Sequence, residues 1–544
     1  MAPDLPTLLT ARNSGLGVTG AEKNPAMGRR AMSASFAFPL RRRLSAAAIA
    51  AMLLVAMLAV VAAASRTIRV IVTSSSDRSA GAAVEHVGGN VTSRLPLIDS
   101  VVADVPVDRV DQLSSFASVL ADRAMHVRSA DFGGAPTTAY PYEVGATDVW
   151  GDATGEGVGV ALVDTGISPV PDVLERVAAV ADLTPEHRYV DGYGHGTFMA
   201  GLVAGTGAAS DGAYTGVAPG AHLVSVKVAV SDGSTTLSTV LEGLQLVDNS
   251  RVRFNIRVIL LALSSDSDLS PDRDPLTRGL RKLWDHGVFV VVPAGNDGPE
   301  AGSVDLPGND PTLMTAGAVE DLGTPDIGDD SVPPWTSRGP SRFGAAKPDI
   351  AAPGVHLVSV RAPGSQIDRE NPDARVGDSY FLGSGTSMAS AVTAGVAALV
   401  LSARPGLSPD ELKAVMANGA TPLDGADVNA VGAGVVNAVG ALDASTDGAG
   451  NEEHGHGLGP KKSAGNHWNG RIWNGRIWNG RIWNGRIWNG RVWNGRVWNG
   501  EGWDDVEWDG RVWNGRVWNG RVWNGRVWNG RVWNGRVWSS RIWG

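Results

Sequence analysis

The sequence predicts an α/β protein whose main domain is a doubly wound, mostly parallel sheet. Within residues 140–445, short and almost entirely apolar segments alternate with helical stretches, and these segments read GVGVALVDTG, AHLVSVKVAV, RVILLALSS, VFVVVPAGN and TLMTAGAV. Strands without polar alternation are typical of parallel sheets that helices cover on both faces. In such folds, functional side chains gather at the carboxyl ends of the strands.

The chain has 544 residues, more than a single hydrophobic core usually supports, so further segments are expected. Residues 1–40 are interpreted as an N-terminal extension, with Met27 and Met32 as alternative starts of translation. Residues 41–65 combine three Arg, an uncharged apolar run and a small-residue end, which is the pattern of a secretory signal peptide. The run is also long enough for an uncleaved membrane anchor. Both interpretations predict export, either as a secreted extracellular protein or as one held at the membrane.

Residues 66–135 predict a small, ferredoxin-like α+β module. Its segments are a strand (TIRVIVT), a helix (DRSAGAAVEHVGG), two strands within NVTSRLPLIDSVVADVP, a helix (DRVDQLSSFASVLADR) and a strand (AMHVRS). This β-α-β-β-α-β order is typical of the split-βαβ fold. By itself the module indicates no function.

Composition separates the body of the chain from its C-terminal tail. The chain has no Cys, which excludes disulfides, thiolate metal sites and a Cys nucleophile. The net charge is −9, yet residues 466–544 carry thirteen Arg against five acidic residues. A Gly-rich, charged linker at 446–465 leads into this basic tail. An acidic body with a basic, aromatic tail predicts a partner for the tail that the body does not share.

The tail is a pentapeptide repeat that places a Trp at every fifth residue from Trp468 to Trp543. A helix is excluded, because Gly would recur throughout it and neighbouring Trp would point in different directions. A continuous flat strand is excluded as well, since an odd spacing puts successive Trp on opposite faces. The twelve Asn-Gly steps favour turns, so a β-solenoid and a disordered low-complexity tail both remain open.

Three short motifs stand where a parallel sheet collects its active residues. The first, VALVDTGIS, ends a predicted strand on Asp164. Aspartic proteases use the same DTG letters, but they need two copies to pair their carboxylates and this chain holds one. The second motif, DGYGHGTFMAGLVAG, puts His195 between two Gly at the start of a predicted helix. That setting leaves the imidazole accessible, which suits a general base.

The third motif, GSGTSMASAVTAGVAALVLSA, begins a predicted helix close to Ser387. A Ser at a helix start is usually an N-cap, and capping alone would explain the position. The N-terminus of a helix also presents unpaired N–H groups that can stabilise a developing oxyanion. A nucleophile and part of an oxyanion hole would therefore coincide here.

Together these motifs resemble the subtilisin-like serine peptidases, whose catalytic residues follow the chain order Asp, His, Ser. The resemblance covers residues 140–445 and includes GEGVGVALVDTGI, DGYGHGT, TGVAPGAHLVSVKV, PAGNDG, TSRGPS, KPDIAAPG and SGTSMAS. It implies that Ser387 attacks the scissile carbonyl, His195 carries the proton and Asp164 orients the imidazole. It further implies that Asn296, in PAGNDG, donates its side-chain N–H to the oxyanion.

The resemblance also implies a substrate-binding surface at Leu263, Ser264, Ala294 and Gly295. Ser264 stands where the family usually has Gly, so it is expected to narrow the cleft. The chemistry requires no cofactor. Relatives often bind structural calcium, but no loop in this sequence has a ligand spacing that assigns a site.

By the same resemblance, residues 66–135 correspond to an inhibitory propeptide, with cleavage expected between about 130 and 145. The expected partners are protein or peptide substrates, the propeptide as an inhibitor and, for the tail, a cell-wall or extracellular polymer. Nucleic acid is a less favoured ligand of the tail, because the chain is exported. The leading interpretation is a secreted serine endopeptidase made as a self-processed zymogen. The alternative is a surface-binding protein with an inactive peptidase scaffold.

Overall fold

A computed structural model describes residues 66–449 apart from 128–130, 135, 137 and 266, together with four dipeptides of the tail. The predicted extension at 1–40, the signal segment at 41–65 and most of the linker and repeats lie outside the described residues. The dipeptides form two short pairs, Arg491–Val492 with Gly495–Arg496 and Asn514–Gly515 with Asn529–Gly530. The choice between a solenoid and a disordered tail falls on residues outside the described ranges.

The N-terminal module is a four-stranded antiparallel sheet in the order β2-β3-β1-β4 with one full helix packed against it. Its elements are β1 (Thr67–Thr73), α1 (Asp77–His86), β2 (Asn90–Leu95), β3 (Ser100–Pro106), α2 (Val110–Leu113) and β4 (Ser118–Ala121). The apolar side chains between the sheet and α1 form a core of their own, including Val70, Val84 and Val101. The observed elements β1-α1-β2-β3-α2-β4 therefore follow the predicted β-α-β-β-α-β order.

The second helix and the last strand of this module differ from the prediction. The helix expected across 108–123 ends at Leu113, because the hydroxyls of Ser114 and Ser115 donate to carbonyls of the preceding turn. Beyond it, Val119 and Leu120 pair with β1 as strand β4. The expected final strand, AMHVRS, begins a different sheet as β5 (Ala124–Val127).

The main domain is built on a seven-stranded sheet in the order β14-β13-β12-β10-β6-β8-β7, and all of its strand pairs are parallel. The strands are β6 (Gly159–Asp164), β7 (Val177–Asp182), β8 (His222–Lys227), β10 (Ile256–Leu260), β12 (Phe289–Pro293), β13 (Met314–Val319) and β14 (Ile350–Pro353). Strands β6, β12, β13 and β14 are buried at every residue, as expected for a sheet covered on both faces. The predicted doubly wound α/β fold is confirmed.

Helices on both sides of this sheet complete the domain. They are α3 (Tyr140–Glu143), α4 (Ala146–Val149), α5 (Pro171–Leu174), α6 (His195–Ala204), α7 (Leu237–Ser250), α8 (Pro275–Asp285), α9 (Gln366–Glu370), α10 (Thr386–Ala403), α11 (Pro409–Asn418), α12 (Val428–Val431) and α13 (Ala438–Asp443). Helix α10 is apolar and long enough to cross a membrane, but 89% of it is buried inside the protein. It is the central core helix, and it contacts α6 as well as strands β10, β12, β13 and β14.

Two smaller sheets border the main one. The first has the order β11-β5-β9 and joins β5 to β9 (Ser234–Thr236) and β11 (Leu263–Ser264). The second has the order β15-β17-β16 and consists of β15 (Leu357–Val360), β16 (Arg375–Val376) and β17 (Tyr380–Gly383). Strand β17 ends three residues before the start of α10, so it fixes the entry to the central helix.

Candidate active site

Asp164 is the last residue of β6, a central strand of the parallel sheet. The residue is 2% exposed, and its Oδ1 accepts hydrogen bonds from the backbone N–H of Thr165 at 2.7 Å and from the Thr165 hydroxyl at 3.2 Å. These two hydrogen bonds hold the carboxylate in one orientation. Asp164 therefore lies at the carboxyl edge of the sheet, as predicted from the strand pattern.

His195 is the first residue of α6, and the DTG turn and the helix start are joined by hydrogen bonds. The backbone N–H of Gly196 donates to the Thr165 hydroxyl at 2.9 Å, and the backbone N–H of Ser168 donates to the Thr197 hydroxyl at 2.9 Å. Gly194, the residue before His195, has φ 113°, a conformation that side chains with a Cβ rarely adopt. The Gly before His195 is therefore required by the backbone as well as by access to the ring.

Asp191, which was not among the predicted site residues, fixes the same helix start. Its carboxylate accepts hydrogen bonds from the backbone N–H groups of Gly194 at 2.6 Å and Thr197 at 2.8 Å, and from the Thr197 hydroxyl at 2.7 Å. Burial raises the pKa of Asp191, while these donors act in the opposite direction. An acidic residue shortly before a helix start was the signal that could have identified it.

The imidazole of His195 is in direct contact with Asp164. The ring Nδ1 lies 2.9 Å from each carboxylate oxygen, so it is the protonated nitrogen and donates to Asp164. The opposite nitrogen, Nε2, is buried and has no hydrogen-bond partner among the described residues. In the neutral tautomer, Nε2 carries the lone pair and can accept a proton.

Ser387 is the second residue of α10 and is 3% exposed. The helix begins after Gly385, whose φ of 152° and ψ of 161° lie in a region open almost only to Gly. Helix α10 packs against α6, and a pocket is lined jointly by His195 and Met388, the residue after Ser387. The third predicted motif therefore enters the site beside the imidazole, at the N-terminus of an 18-residue helix.

Asn296 follows β12 and is anchored to the first residue of α10. Its Oδ1 accepts hydrogen bonds from the backbone N–H of Thr386 at 3.0 Å and from the Thr386 hydroxyl at 2.9 Å. With the oxygen fixed in this way, the amide Nδ2 is the end that remains to act as a donor at the site. Thr386 was not predicted, and its only signal was its place in the SGTS motif.

The predicted substrate-binding residues divide into two groups. Leu263 and Ser264 form β11, which pairs antiparallel with Val127 and His126 of β5. Ser264 thus takes part in regular strand pairing and leaves room for an extended chain.

Ala294 and Gly295 have other contacts. The N–H of Ala294 donates to Ala316 within the sheet, and the N–H of Gly295 donates to the Thr386 hydroxyl at 3.1 Å. The carbonyl of Gly295 accepts a hydrogen bond from Ser337. Within the described residues, these two positions support the wall of the site and do not pair with β5.

The chain's own segment β5 occupies the cleft in front of these residues. Three of its residues pair antiparallel with β9, and the N–H of Val127 donates to the carbonyl of Gly233 at 3.1 Å. Beyond the undescribed residues 128–130, Asp131 forms a bridge with Ser384, three positions before Ser387. The chain is therefore paired with the main domain both before and after the undescribed residues 128–130.

No metal-binding cluster accompanies this site. Across the described ranges, no group of three or more His, Asp and Glu side chains is arranged to hold a metal ion. Proton transfer between the groups named above needs only the side chains themselves.

Comparison with known proteins agrees with this geometry. The chain is 43% identical over 296 residues to serine protease AprX of Bacillus subtilis, covering 52% of this chain and 66% of that protein. It is 34% identical over 286 residues to Subtilisin Savinase of Lederbergia lenta, covering 52% of this chain and 90% of that protein. A third relative, M-protease of Shouchella clausii, is also 34% identical, and 64% of its length is covered. The chain thus spans just under two thirds of AprX and of M-protease.

Among solved structures, fervidolysin of Fervidobacterium pennivorans, a keratinolytic enzyme related to subtilisin, matches with a TM-score of 0.57 and 22% identity. That match covers 71% of this chain and 62% of fervidolysin, and at this identity it supports the fold. The model of the subtilase family matches residues 155–457, which contain Asp164, His195, Asn296 and Ser387. With its parallel sheet, its Asp-His contact and the Ser at the start of its core helix, the chain belongs to the subtilase family.

Proposed function

We propose that the protein is a secreted serine endopeptidase, made as a zymogen that cuts its own chain. The observation that carries this proposal is the position of β5, which lies as the middle strand between β9 and β11 and pairs with the predicted substrate-binding residues Leu263 and Ser264. Antiparallel addition of an extended segment to sheet edges is a recurrent way of binding peptides. A peptide substrate is therefore expected to bind as β5 does, once this segment has left.

In the proposed reaction, Ser387 Oγ attacks the scissile carbonyl carbon while His195 Nε2 takes the hydroxyl proton. Asp164 accepts the hydrogen bond from Nδ1 and stabilises the imidazolium that forms. The C–N bond then breaks as His195 returns the proton to the leaving amine. A water molecule attacks the resulting ester by the same steps in reverse, which releases the carboxylic acid and restores Ser387.

The negative charge of the tetrahedral intermediate would be stabilised by two donors. One is Asn296 Nδ2, supported by the two hydrogen bonds that hold its Oδ1 on Thr386. The other is the backbone N–H of Ser387 at the N-terminus of α10, where the helix dipole also favours negative charge. These donors act because they are held in place before charge develops.

Residues 66–135 are proposed to be the inhibitory propeptide. The strand pairing of β5 ends at Val127, and the chain pairs again at Asp131, so we assign the cut to the peptide bonds between these two residues. This range starts slightly before the interval of 130–145 expected from the sequence. Until the segment dissociates, it would exclude other substrates from the cleft.

The test of the proposal combines labelling and self-processing. The secreted protein should react with a serine-directed phosphonate, and Ser387→Ala should remove the labelling and retain the propeptide. N-terminal sequencing of the unaltered product should give a mature end close to residues 128–131. Loss of the propeptide from Ser387→Ala at normal speed, without added protease, would rule out self-processing.

The tail and the N-terminal signal are proposed to determine where the enzyme acts. The signal segment at 41–65 exports the chain, either as a cleaved peptide or as an anchor. The repeats at 466–544 are proposed to attach the enzyme to a cell-wall or extracellular polymer. This proposal is supported by sixteen regularly spaced Trp with an excess of Arg, because indole rings and guanidinium groups bind sugar and anionic surfaces.

A further inference from the structure

Just before β5, the propeptide inserts a basic side chain into a buried acidic position of the main domain. Arg123 Nη2 donates to Asp274 Oδ2 at 2.5 Å, and its Nε donates to the Ser265 hydroxyl at 2.7 Å. The side chain of Asp274 is fully buried, and that of Arg123 is 19% exposed. The two residues are 151 positions apart, so this pair joins the propeptide to the enzyme.

Asp274 has a second contact that does not require its charge. It is the N-cap of α8, and its Oδ1 accepts a hydrogen bond from the N–H of Thr277 at 3.1 Å. Asn caps helices as well as Asp does. The negative charge of Asp274 is therefore used by Arg123, which is its cationic partner among the described residues.

The backbone around Arg123 continues the substrate-like strand. Its carbonyl accepts a hydrogen bond from the N–H of Leu237 at 2.9 Å, and Val127, four residues later, pairs with Leu263. Residues 123–127 are therefore held in a single extended register along the cleft. In a peptide bound in that register, one residue would pair with Leu263 as Val127 does. The side chain four positions before that residue would then lie at Asp274, as Arg123 does.

We propose that Asp274 and Ser265 form a binding subsite for a basic substrate residue, four positions before the residue that pairs with Leu263. The inference rests on the proposed peptidase function. When the propeptide leaves, Asp274 loses the cation that compensates its burial, and a guanidinium or ammonium group of the substrate replaces it. Arg fits better than Lys, because its planar group can reach the carboxylate and the hydroxyl together, as Arg123 does.

Internally quenched peptides test this subsite on the mature, unaltered enzyme. One peptide carries the sequence DRAMHVRSADF, which spans residues 122–132, and two others replace its first Arg by Lys or Ala. We expect the Arg peptide to have a kcat/KM about tenfold above that of the Ala peptide, the size of a charge-assisted hydrogen bond. The kcat/KM of the Lys peptide should lie between those of the Arg and Ala peptides. Equal kcat/KM values for the Arg and Ala peptides would overturn the subsite.

The variant Asp274→Asn tests whether the preference for Arg over Ala depends on the charge of Asp274. It retains the helix cap and removes the charge, so the ratio of kcat/KM between the Arg and Ala peptides should fall to near one. Asp272→Asn is the matched control, because Asp272 is 76% exposed, pairs with Arg281 and should leave the ratio unchanged. If Asp274→Asn still cleaves the Arg peptide with a kcat/KM about tenfold above that of the Ala peptide, the proposed subsite is overturned.

The two proposals fail differently. Cleavage of all peptides at one rate overturns the subsite and leaves the peptidase proposal standing. If the unaltered enzyme cleaves none of the peptides and no protein substrate, the proposed function is overturned and the subsite with it. If Asp274→Asn does not yield soluble protein, the peptide comparison on the unaltered enzyme decides alone.

Discussion

Among the single residues of the site, Asn296 shows how a neighbour decides which atom of a side chain can act. Its amide could present either oxygen or nitrogen to a substrate, and the two hydrogen bonds from Thr386 fix the oxygen. The nitrogen is therefore the end available as a donor. The role proposed for Asn296 thus depends on Thr386 as much as on Asn296 itself.

Replacing Asn296 by Ala should lower kcat by about 10²–10³-fold with little change in KM, because its donor acts on charge that develops only in the transition state. Thr386→Val should cause a smaller loss, since it removes the hydroxyl hydrogen bond to Asn296 Oδ1 and keeps the one from the backbone N–H. Hydrolysis of a chromogenic peptide measures both. Asn249→Ala, at an exposed helical Asn, is the control. An unchanged kcat in Asn296→Ala would exclude the oxyanion role.

Glu143 and Asp330 form a second residue-scale feature, away from the site. Glu143 is 3% exposed, and neither carboxyl group receives a hydrogen bond from a described N–H or O–H group. Burial raises the pKa of Glu143, and the nearby charge of Asp330 raises it further, with Asp321 and Asp329 contributing. Burial also raises the pKa of Asp330. The folded state thus retains protons that the unfolded chain releases above about pH 4–5.

Because the folded pKa of Glu143 is raised, this pair should destabilise the fold progressively as pH rises from about 5 to 8. Gln is neutral in both the folded and the unfolded state, so Glu143→Gln removes the cost of keeping this buried position protonated and should increase the free energy of unfolding by about 1–2 kcal/mol at pH 8. The gain should be smaller at pH 5. Thermal unfolding in a Ser387→Ala background measures this without self-digestion, and exposed Glu156→Gln is the control. Lower stability of Glu143→Gln at pH 8 would contradict the expectation.

Among the secondary-structure elements, three of the shortest strands form the sheet that we propose to bind the substrate. Strands β5, β9 and β11 have four, three and two residues, and they bring together segments far apart in the sequence. Their backbone groups are satisfied in part by pairing with one another. The central sheet, by contrast, is stabilised by apolar burial and does not depend on β5.

Val127→Pro should slow loss of the propeptide by roughly three- to tenfold, because it removes the N–H that donates to the carbonyl of Gly233. The residue before a Pro prefers an extended backbone, so His126 can remain in β5. Val127→Ala keeps the N–H and should process faster than Val127→Pro. A time course of the precursor on denaturing gels measures the rates. Equal rates for the Pro and Ala variants would show that this pairing does not position the cut.

For the whole molecule, charge and chemistry are separated along the chain. The triad residues and the subtilase match lie in the acidic body, whereas the excess of Arg and most of the Trp lie in residues 466–544. Such a separation allows localisation and catalysis to vary independently. It also predicts that removing the tail leaves the site intact.

Deletion of 466–544 should leave kcat/KM for small peptides and the Tm unchanged, and it should release the enzyme from cells and from insoluble polysaccharide. Co-sedimentation of full-length and truncated Ser387→Ala protein with cell walls measures the second effect. Retention of the truncated protein equal to that of the full chain would refute the proposed attachment. A lower kcat/KM would instead link the tail to the active site.

Much of the fold and of the candidate site could be predicted from patterns within short stretches of the sequence. The all-apolar strands predicted the parallel sheet, because burial on both faces excludes polar residues from every position. The ends of those strands and the Gly-rich helix starts identified Asp164, His195 and Ser387, and their order together with the neighbouring motifs linked them to one family. The module at 66–135 was predicted in outline, since helical and strand periodicities are local.

Contacts between distant segments were decided only by the tertiary structure. Val119 and Leu120 fit a helix by sequence, but pairing with β1 makes them a strand. The hydrogen bonds between Thr386 and Asn296 join residues 90 positions apart, and the ion pair between Arg123 and Asp274 joins residues 151 positions apart. Periodicity in the sequence does not reveal such pairs, because each residue taken alone resembles an ordinary helix cap or an ordinary surface charge. The chain's own strand in the cleft, which carries the proposed function, arises from the same long-range pairing.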